Sequence, residues 1–307
     1  MASSHFNRGP NIPVSKQIFP GKEHEIPSLR EGHLPTATGE RTPYRAANKL
    51  LGKRAIITGE DSGIGAAAAL LFAKEGATST IAYLPEEEED AQQTKREIEE
   101  LGQACHLIPI DLVKRENWVV DFAVEKMGGV DILFNNAAYQ MMVEDIADLE
   151  EDQWVHTFNI NMHSYFYMAK YSLRHMKEGA VMINNASINA YIGRPELLEY
   201  TSSKVWTPLI PATMSEKAQN EFTSPMGRPA EPSEIATCVV FLASLDSSCV
   251  SGQTIHCNGG EVVQLRGLHR HLMIEFQGQA PKPFPLLLGS FQFLQGNMYA
   301  NRLLSKN

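Results

Sequence analysis

No stretch of this chain approaches the roughly 18 consecutive apolar residues of a membrane-spanning helix, and the N-terminus lacks the apolar core of a secretory signal peptide. The segment from Met1 to Pro20 has two basic and no acidic side chains, a faint likeness to an organelle transit peptide without its amphipathic helical pattern. Basic residues are also scarce, since 27 Lys and Arg stand against 36 Asp and Glu, a formal net charge of −9. We therefore expect a cytoplasmic protein with neither a nucleic-acid nor a membrane partner.

Cysteine is sparse, with four residues in 307 and no C-x-x-C pair. This usage predicts free thiols in a reducing compartment rather than a disulfide framework. The four are Cys105, Cys238, Cys249 and Cys257. His269 and His271 form a near pair but have no carboxylate at ligand spacing, so we expect no metal site.

Three regions of the chain differ in composition. Residues 1–48, rich in Pro, Gly, His and charge, predict an extended arm, and residues 261–307 an irregular tail. Between them, residues 49–260 alternate apolar strand-like runs with helical segments. We therefore predict an α/β fold, a Rossmann-type doubly wound parallel sheet in one domain. The predicted strands are 55–57, 78–84, 105–109, 130–134, 180–183 and 253–256, and the main predicted helices are 66–73, 85–101, 117–127, 151–175 and 232–244.

A glycine-rich turn joins the first predicted strand of this domain to the first predicted helix. The turn reads Thr58-Gly59-Glu60-Asp61-Ser62-Gly63-Ile64-Gly65. Glycine at these positions allows a sharp turn and lets a pyrophosphate approach the backbone amides. The positive end of the following helix then faces the anion. Because the turn lies between a strand and a helix, it predicts a dinucleotide-binding site rather than a tight turn without a ligand.

Tyr200 and Lys204 are four residues apart and share one face of a predicted helix. By itself such a pair is common on solvated helix surfaces, but an ammonium beside a phenol favours the phenolate and makes the tyrosine a usable acid or base. Ser187 follows the end of a predicted strand, where its hydroxyl can bind a substrate oxygen. Tyr191 is the competing tyrosine, but Pro195 rather than a lysine lies four residues beyond it.

Together and in this order, the motifs resemble those of the short-chain dehydrogenase/reductase family. The turn resembles its T-G-x-x-x-G-x-G motif, and Asn135-Asn136-Ala137-Ala138 resembles its N-N-A-G segment, with Ala138 in place of glycine. The resemblance implies the catalytic residues Asn161, Ser187, Tyr200 and Lys204, with Asn161 holding a water that links Lys204 to solvent. It implies a cofactor site formed by Gly59, Ser62, Gly63, Ile64, Gly65, Asp111, Leu112, Asn135, Asn136, Ala137, Tyr200, Lys204 and Thr207.

The resemblance also implies an activity. It is an NAD(P)-dependent transfer of hydride between the nicotinamide and a small carbonyl or alcohol substrate, in a protein that is usually a homo-oligomer. The subgroup with the same arm and turn contains aldehyde reductases and homologues of glucose and ribitol dehydrogenase, which favours NADP over NAD. Glu86, at the end of the second strand, can bind a ribose hydroxyl of NAD, although it also suits a solvated helix start.

One stretch that the family has is missing from this sequence. Pro208 follows Lys204 closely and ends the Tyr–Lys helix within about a turn. In the family this helix continues into a sixth strand, so roughly 20–30 residues are absent. We therefore expect a sheet that lacks one usual strand. The alternative function is a catalytically impaired or non-catalytic nucleotide-binding or scaffold protein descended from the family.

Overall fold

The computed structural model describes residues 33–35, 41–59, 63–113, 116–204, 230–260 and 301–302. The strands are β1 His33–Pro35, β2 Arg41–Pro43, β3 Arg54–Thr58, β4 Thr78–Tyr83, β5 Cys105–Pro109, β6 Val130–Asn135, β7 Met176–Asn184 and β8 Asn301–Arg302. β1 and β2 pair in a two-stranded antiparallel sheet. The others form a six-stranded sheet in the order β5-β4-β3-β6-β7-β8, parallel except for β8.

Helices connect the parallel strands. They are α1 Gly63–Lys74, α2 Glu88–Glu100, α3 Glu116–Met127, α4 Glu151–Phe158, α5 Ser164–Ser172, α6 Asn189–Ile192, α7 Leu198–Lys204 and α8 Pro232–Ala243. The single helix predicted over 151–175 is interrupted, because a π-helical turn at Asn159–His163 separates α4 from α5. Such turns occur often at functional sites. No helix in the described part of the chain is long and apolar enough to cross a membrane.

The core lies on both faces of the sheet. On β3, Ile57 packs with α1, α2 and α8 on one face, whereas Ile56 packs with α3 and α5 on the other. Successive strand residues point to opposite faces, so a strand covered on both sides reads as a continuous apolar run. This arrangement confirms the predicted Rossmann-type doubly wound sheet.

The edge of the sheet beyond β7 differs from the prediction. We expected a strand at residues 253–256, but these residues have no strand conformation in the structure. A strand needs a neighbour for its backbone groups, and the edge of β7 is paired at Val181 and Met182 with the antiparallel β8. The predicted missing segment concerns the chain after Lys204, and residues 205–229 lie outside the described residues, as do His269 and His271.

Candidate active site

The candidate site lies at the carboxyl ends of β3 and β6. These neighbours stand where the strand order reverses, since β4 and β5 extend to one side and β7 to the other. In open α/β sheets such a switch point forms a crevice that binds ligands. The glycine turn after β3 and the Asn135–Ala137 segment at the end of β6 both lie there.

Gly59 is the point of closest approach between these two segments. Its φ of +64° lies in the left-handed region, and a Cβ atom built on it would stand 2.6 Å from the Ala137 Cα. The Thr58 Oγ1 accepts hydrogen bonds from the backbone N–H groups of Asn136 and Ala137, at 3.1 and 3.2 Å. The Asn136 Nδ2 donates to the Gly59 carbonyl at 2.6 Å. Only glycine therefore fits at position 59 without displacing this crossing.

The predicted pyrophosphate end of the site is partly described. Gly63, Ile64 and Gly65 form the buried start of α1, whose first turn contains no acidic residue. An acid there would repel an anion at the positive end of the helix. Ser62 lies outside the described residues.

Two residues of the predicted cofactor site, Asp111 and Leu112, follow β5. The Asp111 Oδ1 accepts a hydrogen bond from the Val113 N–H at 3.0 Å, and Leu112 is buried beside it. The aspartate therefore holds the turn after β5 in shape and places both residues at the carboxyl edge of the sheet.

Ser187, Tyr200 and Lys204 come together as predicted. The Tyr200 hydroxyl is hydrogen-bonded to the Ser187 side chain, and all three residues are buried. The Lys204 Nζ lies 5.7 Å from the centre of the Tyr200 ring and donates to the Asn185 carbonyl at 3.2 Å. Ser187 is held in turn, because its Oγ accepts from the Asn189 N–H at 3.1 Å. Thr207 lies outside the described residues.

Burial dominates the protonation of this pair. It raises the pKa of Tyr200 well above its ordinary value, and the hydrogen bond from Ser187 offsets only part of the rise. Burial also lowers the pKa of Lys204 to about 7. Burial therefore opposes the charged form of both side chains, and the expectation that the ammonium favours the phenolate stays a prediction.

Asn161 lies in the π-helical turn and is hydrogen-bonded to two segments of the site. Its Oδ1 accepts from the Tyr139 N–H and its Nδ2 donates to the Tyr139 carbonyl, both at 2.8 Å. The Nδ2 also donates to the Ser203 Oγ at 2.9 Å, and Ser203 is the neighbour of Lys204 in α7. Asn161 thus links the segment after β6, which contains Tyr139, to α7, which contains Ser203.

The sequence reasoning missed Tyr165 and Asn185. The Tyr165 hydroxyl donates to the carbonyls of Ala137 and Asn185, at 3.0 and 3.3 Å, and lies 3.5 Å from the Lys204 Nζ. The Asn185 Nδ2 donates to the Asn136 Oδ1. Tyr165 follows Asn161 by four residues, a helical spacing that shares a face, and this was the available signal. Asn185 follows the end of β7 directly, where site residues of parallel sheets lie.

Tyr191, the competing tyrosine, has a different environment. Its hydroxyl is hydrogen-bonded to Thr254, and its ring packs edge-on against His256 with 5.3 Å between the centroids. Tyr191 therefore has Thr254 and His256 as its partners, whereas Tyr200 lies beside the buried Lys204. This placement agrees with the assignment of the acid–base role to Tyr200.

The lowered pKa of Lys204 predicts a pH-dependent stability difference for Lys204→Met. Between pH 7 and the ordinary lysine value of 10.5 the unfolded state binds one more proton at this residue than the folded state, so the free energy of unfolding of the wild type rises with pH there. The cost of burying the ammonium is fully present below pH 7. We expect Lys204→Met to be more stable than wild type near pH 6, with an advantage that shrinks as the pH rises towards 10.

Thermal melts at several pH values measure this difference. The matched control is Lys126→Met, because Lys126 is exposed and lies beside Glu125 on the surface of α3. Its stability relative to wild type should be nearly constant over the same pH range. A constant advantage for Lys204→Met from pH 6 to 10 would show that the folded protein holds Lys204 charged throughout.

Family models and known proteins match most of this chain. The family model described as short chain dehydrogenase matches residues 53–225, and that described as Enoyl-(Acyl carrier protein) reductase matches residues 206–261. The glucose and ribitol dehydrogenase of Daucus carota is 38% identical over 288 residues, which cover 82% of this chain and 97% of that protein. The NADPH-dependent aldehyde reductase 1, chloroplastic, of Arabidopsis thaliana is 39% identical over 282 residues, 80% of this chain and 96% of that protein.

A solved structure with a similar fold is also a short chain dehydrogenase. The crystal structure of a short chain dehydrogenase from Burkholderia cenocepacia J2315 in complex with NADP is 27% identical, with a TM-score of 0.64. The similarity covers 69% of this chain and 98% of that one. The ordered motifs, the sheet and these relatives together show that the chain belongs to the short-chain dehydrogenase/reductase family.

Proposed function

We propose that this chain is an NAD(P)-dependent oxidoreductase that transfers hydride between the nicotinamide and a small carbonyl or alcohol substrate, with NADP as the preferred cofactor. The observation that carries this function is the buried hydrogen bond between Tyr200 and Ser187, with Lys204 beside the phenol ring. It lies at the carboxyl edge of the sheet, next to the glycine turn. Support for NADP comes from the aldehyde reductase relative and the similar structure, whose names or titles specify NADPH and NADP.

The described residues fit a dinucleotide. Gly59, with its left-handed φ and no side chain, allows the glycine turn to lie close to the Ala137 backbone. The first turn of α1 has no acidic residue that would repel a phosphate. Asn135, at the end of β6, has a buried Oδ1 without a hydrogen-bond partner among the described residues. The residues proposed to hold the cofactor are those given by the resemblance, of which Ser62 and Thr207 rest on the sequence alone. When bound, the nicotinamide supplies or accepts the hydride.

The chain's own residues handle the proton and the substrate oxygen. The raised pKa keeps Tyr200 protonated at neutral pH, which is the form that donates to a carbonyl oxygen during reduction. Ser187 holds the Tyr200 hydroxyl and places a second hydroxyl beside that oxygen. Lys204, with a pKa of about 7, can return a proton towards Tyr200 at neutral pH. We propose that Asn161 positions α7 through Ser203 and holds a water near Lys204.

We further propose that the sequence lacks an internal segment after Lys204. The alignments with the two plant relatives are 288 and 282 positions long. They include only 82% and 80% of the 307 residues of this chain, which are fewer residues than the alignments have positions. The alignments therefore contain positions at which this chain has no residue. The antiparallel β8 on the edge of β7, where the family places a parallel strand, supports the same proposal.

The assembly and location of the protein are proposals of the same kind. A homo-oligomer is supported by large apolar side chains that α4 and α5 leave exposed, namely Trp154, Val155 and Phe166. Such exposed side chains are typical of protein contact surfaces. The cytoplasm is proposed from cysteine usage, since the sequence has four cysteines and no C-x-x-C pair.

A cofactor titration tests the proposed function. We expect the purified chain to quench or shift NADPH fluorescence with saturation, to bind NADH more weakly, and to oxidise NADPH when a reactive aldehyde is added. The titration and the turnover assay separate two outcomes. Saturable binding without turnover of aldehydes, ketones or sugars would identify a nucleotide-binding relative without catalysis, and an absence of binding to both cofactors would overturn the proposal.

A further inference from the structure

Two thiols outside the candidate active site lie in contact. Cys238 lies in α8, and Cys257 lies in the later segment 254–260. Their Sγ atoms are 2.8 Å apart. Both are partly buried. A disulfide bond has a length of about 2.05 Å, so a displacement of less than about 1 Å would bring these sulfurs to bonding distance. The other cysteines differ, because Cys105 is buried in β5 and Cys249 is exposed.

The contact also makes the two thiols chemically unequal. The Cys257 thiol donates its hydrogen to the Cys238 sulfur. This hydrogen bond, together with one from Thr237, lowers the pKa of Cys238 although burial opposes the shift. The same hydrogen bond and burial raise the pKa of Cys257. Thiolates rather than thiols attack oxidants, so the direction of these shifts, together with the contact between the sulfurs, favours Cys238 as the nucleophile and Cys257 as its resolving partner.

The segment that carries Cys257 reaches the active-site region. Thr254 is hydrogen-bonded to the Tyr191 hydroxyl, and the His256 ring packs edge-on against the Tyr191 ring. Tyr191 belongs to α6, which begins two residues after Ser187. A bond that draws Cys257 towards α8 therefore pulls on a segment whose other contacts hold the helix next to the Ser187 hydroxyl.

We propose that Cys238 and Cys257 form an oxidisable dithiol site, which a hydroperoxide converts into a disulfide that tightens the segment from Thr254 to Gly260 against α8. The Cys238 thiolate attacks the peroxide, forming an S–O bond as the O–O bond breaks, and water or an alcohol leaves. The Cys257 sulfur then attacks Cys238, so that the S–S bond forms, the S–O bond breaks, and the hydroxyl leaves as water with the proton of the Cys257 thiol. The two thiols lose two electrons and two protons, and the peroxide is reduced.

Thiol mapping of the full chain tests the site without relying on enzymatic activity. The chain is treated with hydrogen peroxide at neutral pH, alkylated, digested and analysed by mass spectrometry. We expect alkylatable thiols to fall from the four of the sequence to two, with a linked Cys238–Cys257 peptide and full recovery after dithiothreitol. Cys249→Ser is the matched control, since it removes an exposed thiol outside the pair and should leave the linked peptide unchanged.

Two serine variants test the roles of the sulfurs. In Cys257→Ser, peroxide should leave a sulfenic acid at Cys238, which dimedone traps, whereas in Cys238→Ser the remaining Cys257 should stay a thiol. Thermal melts of the reduced variants verify that each is folded. Disulfides that join other cysteines, or a Cys238 that remains fully alkylatable after Cys249 has been oxidised, would overturn the dithiol site.

Hydrogen exchange tests the mechanical part of the proposal. The backbone amides of residues 254–260 should exchange more slowly in the oxidised chain than in the reduced chain, and those of α6 should change with them. Exchange that is the same in both forms, despite a linked peptide, would overturn the coupling to α6. Because these measurements need neither cofactor nor substrate, they can succeed even if the proposed oxidoreductase activity fails.

Discussion

Replacing Tyr200 with phenylalanine is expected to slow carbonyl reduction by roughly 10²–10⁴-fold, the usual contribution of a general acid. The variant keeps the buried ring and removes only the hydroxyl that is bonded to Ser187. Because the ring still fills its place beside Lys204, NADPH affinity should fall much less than the rate, although Tyr200 is also proposed to hold the cofactor. The effect should therefore appear mainly in kcat, and steady-state rates with a reactive aldehyde measure it.

Tyr191→Phe is the matched control for this experiment. It removes the hydroxyl of the other tyrosine between Ser187 and Lys204, whose partner is Thr254 rather than Ser187. We expect its rate to stay within about tenfold of wild type, well short of the loss of a general acid. If Tyr200→Phe reduced the aldehyde as fast as wild type while Tyr191→Phe lost activity, the acid–base role would belong to Tyr191.

The second large effect is expected at Gly59. In Gly59→Ala, the new methyl group would stand 2.6 Å from the Ala137 Cα, a backbone atom that cannot rotate away. The left-handed φ adds about 1–2 kcal/mol for any residue with a Cβ, and an overpacked contact adds typically 1–3 kcal/mol. The glycine turn and the Asn135–Ala137 segment must then move apart. If this movement costs about 1.4 kcal/mol of binding free energy, NADPH affinity falls about tenfold.

Gly102→Ala separates the two causes. Gly102 follows α2 with a φ of +82°, but a Cβ atom there meets nothing within 4 Å. It therefore carries the backbone strain without the clash. Denaturant unfolding should show a larger loss of stability for Gly59→Ala than for Gly102→Ala. NADPH titration should show a loss of affinity for Gly59→Ala only. Equal stabilities and equal affinities would mean that the turn relaxes freely and that its approach to Ala137 is not required.

Much of the sheet was predictable because of where its strands lie. β3 and β6 are covered on both faces, so their sequences are continuous apolar runs such as Ala55-Ile56-Ile57, and the predicted spans agree closely with the structure. The π-helical turn at Asn159–His163 was not predicted, because a single extra residue in a turn barely changes the apolar period of a helix. The strand expected at residues 253–256 was wrong because pairing depends on a neighbour, which a local pattern does not contain.

The amino-acid order by itself determined the family resemblance, the glycine turn and the proximity of Tyr200 to Lys204, since each depends on spacing along a strand, a turn or a helix. Only the tertiary structure decided that distant segments bury this pair, and this burial raises the pKa of Tyr200 and lowers the pKa of Lys204. It also brought Tyr165 and Asn185 to Lys204, and Cys257 to Cys238. Such contacts join residues far apart in the chain, and packing rather than local pattern determines which of them meet.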